Sequence, residues 1–464
     1  MSAARSGRAS SWGVEPEEGP VCRPIWVQID NKHKSVRCEA GHEWAWRSAA
    51  ERHHRGAYRL TCALQRLNNW EVVDESGNAV MTALVVLVPG LASSHGMWSD
   101  LLRSLREEME KHGGRRQNWL ACSVDNRGTG GSDAFPAKRN TPRGKATGRY
   151  CDSATHWSVH RLAEDAWLVA DAVIEAEVHA ASTSTTPNDI QHHRSPHIPR
   201  CAPLLPIILV GHSLGSAIVC RMLLQRPHWA AGVCLLSMNR GWLRDWLPPR
   251  WKMIWAALCF LWWRLRDAFS RGAADGDVAA ERRYRRLVAR AQLDLKLHFT
   301  GPYLDEYIEA RQERIPPMSS SALQHRSSPA ALTLIPRRTL LLRQYVTEAS
   351  SSTPASPSTE WDGFAGQLQA IRSHTLTRAE LEYLRTIMPV ASWILFGADD
   401  AVTPHHGCRA LARALHIPSV EVTAAHMVAD EAQSSVVMLL HATMRHAEAC
   451  ASIAQTSPSA TRST

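Results

Sequence analysis

Residues 207–216 read Ile-Ile-Leu-Val-Gly-His-Ser-Leu-Gly-Ser, and this stretch decides the fold. Ser213 lies between Gly211 and Gly215 in a G-x-S-x-G pattern. The apolar run from Leu204 to Val210 has the content of a buried strand, and Ala217 to Leu224 reads as a helix. A serine at such a junction sits in a sharp, strained turn, and glycine on both sides gives the chain room to make it. The start of the helix also leaves backbone N–H groups without partners beside the hydroxyl. A pattern this short arises often by chance, so its weight rests on residues elsewhere.

Those residues follow in order. A second largely apolar run, Pro389 to Phe396, leads into Gly397-Ala398-Asp399-Asp400-Ala401-Val402-Thr403-Pro404. A carboxylate at the end of a buried strand, ahead of a turn and a proline, is placed to hold an imidazole. Ser419 to Thr423 then alternates like a strand and leads to Ala424-Ala425-His426-Met427. The interval from Asp400 to His426 has room for one helix and one strand. Serine, acid and histidine in this chain order match a strand–elbow–helix serine triad and not the other triad folds. Asp399 is the rival for the acid position.

With these segments in view, the chain resembles the α/β-hydrolase superfamily. Ala83-Leu84-Val85-Val86-Leu87-Val88, running into Pro89-Gly90-Leu91, is similar to the family's oxyanion strand and loop, with Pro89 where histidine is common. Asp125-Asn126-Arg127-Gly128-Thr129-Gly130-Gly131-Ser132 resembles the loop after the next strand, Trp119 to Val124. Arg161-Leu162-Ala163-Glu164-Asp165 resembles the helix that precedes the elbow strand, and Gly366 to Ala370 with His374 the end of a cap region. The resemblance spans about residues 83–240 and 364–447. It implies an α/β fold with a mostly parallel sheet flanked by helices, and a helical cap inserted between elbow and acid.

Ser213 is then the nucleophile, His426 the base and Asp400 the acid, chosen over Asp399 by the family's Gly-x-x-Asp spacing. Backbone N–H groups of Leu91 and Leu214 are expected to form the oxyanion hole. His212 is expected to pack beside the site. His441, in the helical pattern from Val436 to His446, is expected at the surface.

Composition narrows the reading further. The formal net charge is +9 among 464 residues, but no nucleic-acid motif accompanies it, so no nucleic-acid partner is expected. The 11 cysteines are scattered and never spaced C-x-x-C, which points to reduced thiols rather than disulfides or structural zinc. Met1 to Arg8 lacks the apolar core of a secretory signal. The expectation is cytoplasmic, with a mitochondrial leader as the alternative. His53-His54, His192-His193 and His405-His406 lack metal-ligand spacing, and Gly128, Gly130 and Gly131 do not form a dinucleotide loop. No metal and no cofactor are expected.

Residues 1–32 read as a poorly ordered lead with a strand at Pro24 to Ile29, and a hairpin is expected from Ser35–Cys38 and Glu43–Trp46. The core is expected over 33–238 and 384–447, with a helical cap over 239–383 and a disordered tail over 448–464. Surface loops are expected near 134–152, 179–203 and 346–360, where Ser, Thr, Pro or basic residues dominate. Within the cap, Tyr284 to Leu297 and Tyr303 to Arg311 read as helices. Trp242, Trp246, Trp251, Trp255, Trp262 and Trp263 crowd its first part. The run Trp251 to Trp263 is too short to span a bilayer. It lines an apolar pocket, packs on the core, or rests on lipid as a peripheral membrane contact.

The function expected is a serine hydrolase that cleaves a small-molecule carboxylic ester, lipid-like in its acyl group, through an acyl-enzyme intermediate. Acyl transfer by the same triad, and a catalytically silent binding protein on the same fold, remain the alternatives.

Overall fold

The computed structural model describes residues 21–27, 58–68, 82–112, 117–132, 157–182, 205–241, 277–311, 332–351 and 357–456. Eight strands form one sheet: β1 (Val21–Val27), β2 (Tyr58–Arg66), β3 (Ala83–Val88), β4 (Trp119–Val124), β5 (Ile207–His212), β6 (Ala230–Leu236), β9 (Ala391–Gly397) and β10 (Ser419–Val422). Two more, β7 (Tyr307–Arg311) and β8 (Leu332–Pro336), form a separate hairpin pair. The main sheet runs β1-β2-β4-β3-β5-β6-β9-β10. β2 is antiparallel to both its neighbours, and the other pairings are parallel.

Parallel strands covered on both faces read as unbroken apolar runs, and β3, β4 and β5 are buried along their whole length. Side chains still alternate between two cores. Leu84, Val86, Val88, Leu209 and Phe396 face one, covered by α2 (Val159–Ser182), α3 (Leu214–Gln225), α8 (Arg378–Ile387) and α9 (His405–Leu415). Val85, Leu87, Val210 and Leu395 face the other, covered by α1 (Ser99–Lys111) and α11 (Gln433–Thr456). Each large aliphatic side chain so enclosed contributes about 1.5–3 kcal/mol. His441 lies on α11 and is buried, contrary to the surface position expected of it. The apolar stripe that seats α11 on the sheet takes its side of the helix inward.

The cap departs from the sequence reading in several places. Tyr303 to Arg311 is not one helix. A short helix, α5 (Gly301–Asp305), has Pro302 in its first turn behind the Thr300 cap, and the chain then extends into β7. Pairing with β8, supplied from beyond residue 330, overrides a local pattern that periodicity alone reads as helical. The expected loop at 346–360 is helical at both ends: α6 (Arg337–Ser351) continues into it, and α7 (Pro357–Ser373) begins at Pro357, where proline suits the first turn. Glutamate and alanine at Glu348-Ala349 favour the helix, and α6 reaches Ser351 within the serine run. The main cap helix, α4 (Asp277–His298), contains the expected Tyr284–Leu297.

The chain leaves and re-enters the core at one point. Gly241 bridges Thr375, Leu376 N–H donates to the Arg240 carbonyl at 3.1 Å, and Arg240 Nε donates to the Leu376 carbonyl at 3.1 Å. α8, which begins before the expected boundary at 384, packs into the core through Leu381, Leu384 and Ile387. At the ends of the chain, β1 occupies part of the expected disordered lead because β2 gives it a partner. α11 carries order to Thr456, through the first part of the expected tail. The hairpin at 35–46, the loop at 134–152, most of 179–203 and the tryptophan cluster from Trp242 to Trp263 lie outside the described residues.

A buried ion pair ties two of the family-like segments together. Arg127 Nε and a terminal guanidinium nitrogen both donate to Asp165 of α2 at 2.9 Å, with both side chains almost fully enclosed. Removing one partner strands the other charge in the interior. Arg127→Ala is therefore expected to cost about 3–5 kcal/mol in urea unfolding. A loss under about 1 kcal/mol would place the pair among exposed ones.

Candidate active site

At the elbow, Ser213 has φ 54° and ψ −115°, outside the regions most side chains occupy. The turn is possible because its neighbours lack side chains. A Cβ on Gly211 would lie 2.5 Å from the Gly215 and Ser216 backbones, and one on Gly215 would lie 2.0 Å from the Val88 carbonyl oxygen. Hydrogen bonds hold the strained residue. Ser213 N–H donates to the Leu236 carbonyl at 2.8 Å, and the Ser216 hydroxyl donates to the Gly211 carbonyl at 2.6 Å while accepting Leu236 N–H at 3.1 Å.

The acid and histidine meet directly. Asp400 Oδ2 lies 2.8 Å from His426 Nδ1, and its Oδ1 accepts N–H groups of Val402 at 2.8 Å and Thr403 at 2.7 Å. Burial alone would raise the Asp400 carboxyl. The charge and hydrogen bond of His426, with the two N–H donors, outweigh it and hold the group below its ordinary value. Asp399 is exposed and makes no contact with His426 among the described residues. Its N–H donates to the Ala424 carbonyl at 3.0 Å, and Ala398 N–H to Val422 at 2.9 Å. A Cβ on Gly397 would lie 2.2 Å from the carbonyl oxygens of Ala424 and Ala425. The missing side chain there lets the acid turn sit on the histidine loop.

His212, next to Ser213, braces that loop as well. Its Nε2 donates to the His426 carbonyl at 2.9 Å, and the two rings are 4.9 Å apart. Burial lowers the His212 pKa to about 3, with His426 adding to the effect, so this ring stays neutral. Ser213 Oγ and His426 form no hydrogen bond among the described residues. Such bonds are often long without substrate and tighten when it binds.

The N–H groups of Leu214, first in α3, and of Leu91, after β3, are taken by no acceptor among the described residues. Gly90 brings the two segments together: a Cβ there would stand 3.5 Å from Ser213 Cβ and 3.0 Å from His212 Nδ1. The loop after β4 supports this arrangement. Asn126 Nδ2 donates to the Pro89 carbonyl at 2.9 Å, and Asp125 accepts His95 N–H at 2.7 Å.

Two residues that brace the His426 loop went unread in the sequence. His298, at the end of α4, sets its ring 5.5 Å from that of His426 and tilted 48° to it, and its carbonyl accepts Met427 N–H at 2.9 Å. Its own Nδ1 donates to the Asp294 carbonyl at 2.8 Å. Burial, then the nearby His426, depresses its pKa. Glu431, in the short helix α10 (Val428–Glu431), accepts N–H groups of Ala425 at 3.0 Å and Thr300 at 3.1 Å, and bonds the Thr300 hydroxyl. It fastens the cap to the histidine loop. Neither residue belongs to a recognisable motif; the one signal for His298 was its place at the end of an amphipathic helix.

Metal ligands are sparse here. Among the described residues one group, Glu108, His112 and His441 at the α1–α11 contact, has donor atoms within 4.8 Å of one another. His405 and His406 stand edge to face, and the other two histidine pairs lie outside the described residues. Among the described residues, Cys122, Cys220, Cys234 and Cys450 carry free thiols. No described helix is long and apolar enough to cross a membrane.

A family model for the α/β-hydrolase fold matches residues 83–433, most of the chain, and the protein belongs to that family. Among solved structures it is similar to an enol-lactonase from Burkholderia xenovorans LB400, at 15% identity and a TM-score of 0.46 over 84% of this chain and 97% of that one. A putative lipase from Acinetobacter baumannii AYE gives 16% and 0.42 over 84% and 89%. A thermophilic esterase from Thermogutta terrifontis gives 13% and 0.42 over 84% and 95%. No curated protein matches.

Asp430, directly behind the histidine loop, gives the site a pH-sensitive neighbour. Loss of hydration, with the Asp100 and Glu431 carboxylates adding, pushes its pKa up to about 7. In the unfolded chain it returns to about 3.9. Between those values the folded protein keeps a proton that the unfolded chain has released, so stability falls as pH rises through this window. Asp430→Asn is expected to narrow the drop in melting temperature between pH 5 and pH 8. An unchanged or larger drop would show that Asp430 does not titrate in this way.

Proposed function

We propose that this protein is a serine hydrolase that cleaves carboxylic esters through an acyl-enzyme. The observation that carries the reading is the buried Asp400–His426 bond of 2.8 Å beside a serine held at φ 54°. Asp400 fixes the imidazole with its proton on Nδ1, which leaves Nε2 as the base facing the elbow. His426 takes the Ser213 proton as Oγ attacks the acyl carbon. Leu214 and Leu91 N–H groups stabilise the oxyanion, and each such donor is worth about 10²–10³ in turnover. His426 then gives its proton to the leaving alkoxide. A water molecule, activated by the same imidazole, releases the acid.

One panel tests this. Ser213→Ala is expected to lose both fluorophosphonate labelling and turnover of p-nitrophenyl esters while keeping the parent's circular dichroism. Asp400→Asn is expected to lose about 10⁴ in turnover, by analogy with a well-studied protease triad. Asp399→Asn should stay within a few-fold of the parent. Turnover surviving in Ser213→Ala removes the serine from the mechanism, and the reverse order of the aspartates moves the acid to Asp399.

The tryptophan-rich segment 242–263 supports an apolar, lipid-like acyl group. Each CH₂ transferred from water to such a wall contributes about 0.8 kcal/mol. Replacing Trp255 and Trp262 with alanine is expected to reduce kcat/KM for decanoate esters well beyond any loss on acetate. Equal losses on both, with a lower melting temperature, would make the tryptophans packing residues. Binding of the parent to anionic vesicles, weakened by the same changes, would assign the segment to a membrane surface.

A further inference from the structure

Gln367 is fully buried, with 0% of its surface exposed, on the helix α7 that ends the cap insertion. Its carboxamide is used at both ends. Oε1 accepts the Ala92 N–H at 2.9 Å, and Nε2 donates to the Arg127 carbonyl at 2.8 Å. Ala92 has φ 57°, a left-handed conformation costly for a residue with a side chain, so the loop needs an outside hold to keep it. Leu91, the residue just before, carries one of the two oxyanion donors assigned above.

The helix approaches closely enough for this because two positions lack side chains. A Cβ on Gly363 would stand 2.3 Å from the Gly128 carbonyl oxygen, and one on Gly366 would stand 2.0 Å from the Trp157 ring. The other holds on the loop come from the segment after β4: Asn126 on Pro89, and Asp125 on His95. Gln367 reaches it from the far side of the insertion, some 275 positions along the chain.

We infer that Gln367 is a positioning residue for the oxyanion hole. It pins Ala92 so that the Leu91 N–H points at the developing oxyanion, and it ties that orientation to the seating of the cap's return helix. A displaced α7 leaves Ser213, Asp400 and His426 in place but releases one oxyanion donor. The inference rests on the hydrolase reading for its catalytic meaning, while the loop hold itself is a separate, measurable property.

Gln367→Met keeps the volume and removes both hydrogen bonds. With p-nitrophenyl butyrate, kcat is expected to fall about 10–100-fold while KM stays within about threefold, because the lost donor acts mainly in the transition state. Affinity for a trifluoromethyl ketone, which becomes an anionic hemiketal on Ser213, should fall by a similar factor. Hydrogen exchange of the peptide covering 89–95 should speed up, while that covering the Asp400 turn should not. A packing role alone would lower the melting temperature and leave kcat and ketone affinity at parental values, and that result overturns the inference.

Should Gln367→Met fail to fold, Gln367→Glu is read by the same ratios. It keeps an acceptor for Ala92 and loses the amide donor to Arg127, so a smaller loss is expected, and none would overturn the inference. If parent and Ser213→Ala are equally inert, the hydrolase reading has failed. The exchange measurement then decides the loop hold, and unchanged protection at 89–95 overturns it.

Discussion

A side chain on Gly215 would put its Cβ 2.0 Å from the Val88 carbonyl oxygen and 2.7 Å from that of Pro89. The first turn of α3 is therefore pressed against the end of β3, and the rest of the site is laid out from that contact. The loop that carries Leu91 follows β3, so the same approach that seats α3 brings that loop to the elbow. Gly90 continues the packing, since a Cβ there would meet both His212 and Ser213. The cost is the backbone strain at Ser213, of order 1–3 kcal/mol for such a conformation. The bonds from Ser213 to Leu236, and from Ser216 to Gly211 and Leu236, offset it from two neighbouring strands.

The same device recurs at the acid. Gly397 lets the end of β9 lie on the carbonyls of Ala424 and Ala425, and the N–H groups of Ala398 and Asp399 then zip the acid turn to the histidine loop. Asp399, the apparent rival, serves that turn through its backbone while its side chain faces solvent. His212 and Ser237 both donate to the His426 carbonyl, at 2.9 and 3.2 Å. The imidazole is thus held by its main chain from the elbow side and by its side chain from Asp400. Glu431 and His298 add a third side, and both connect to the cap.

The sequence was most informative where one residue type is forced by a local contact. Gly211, Ser213 and Gly215 were readable because little else fits the turn. Asp400 and His426 followed from chain order and flanking strands, and β4 was bounded correctly because a strand buried on both faces is apolar throughout. The reading weakened where a partner distant in sequence decides the outcome. β7 needs β8, and β1 needs β2, whose alternation of Leu60, Cys62 and Leu64 with Arg59, Thr61 and Gln65 went unread. Gln367 was visible as part of a family-like stretch, but nothing in its neighbours tells that it meets Ala92. His441 misled for the same reason: a lone histidine in a helix has no local mark of the face it occupies.

The two rings nearest His426 are both pushed toward the neutral form by burial. His212 is held neutral by burial, with a pKa of about 3, and its Nε2 proton is committed to the His426 carbonyl. His298 is likewise pushed toward the neutral form, and its Nδ1 is committed to Asp294. In the proposed mechanism, the imidazole that takes the serine proton lies beside two rings pushed toward the neutral form and one carboxylate. Were either ring protonated, it would repel the imidazolium at about 5 Å, where two unit charges interact by roughly 3 kcal/mol at an effective dielectric of about 20. Keeping both rings neutral removes that cost. The helix α4, through His298, thus contributes to the electrostatic environment of the His426 ring.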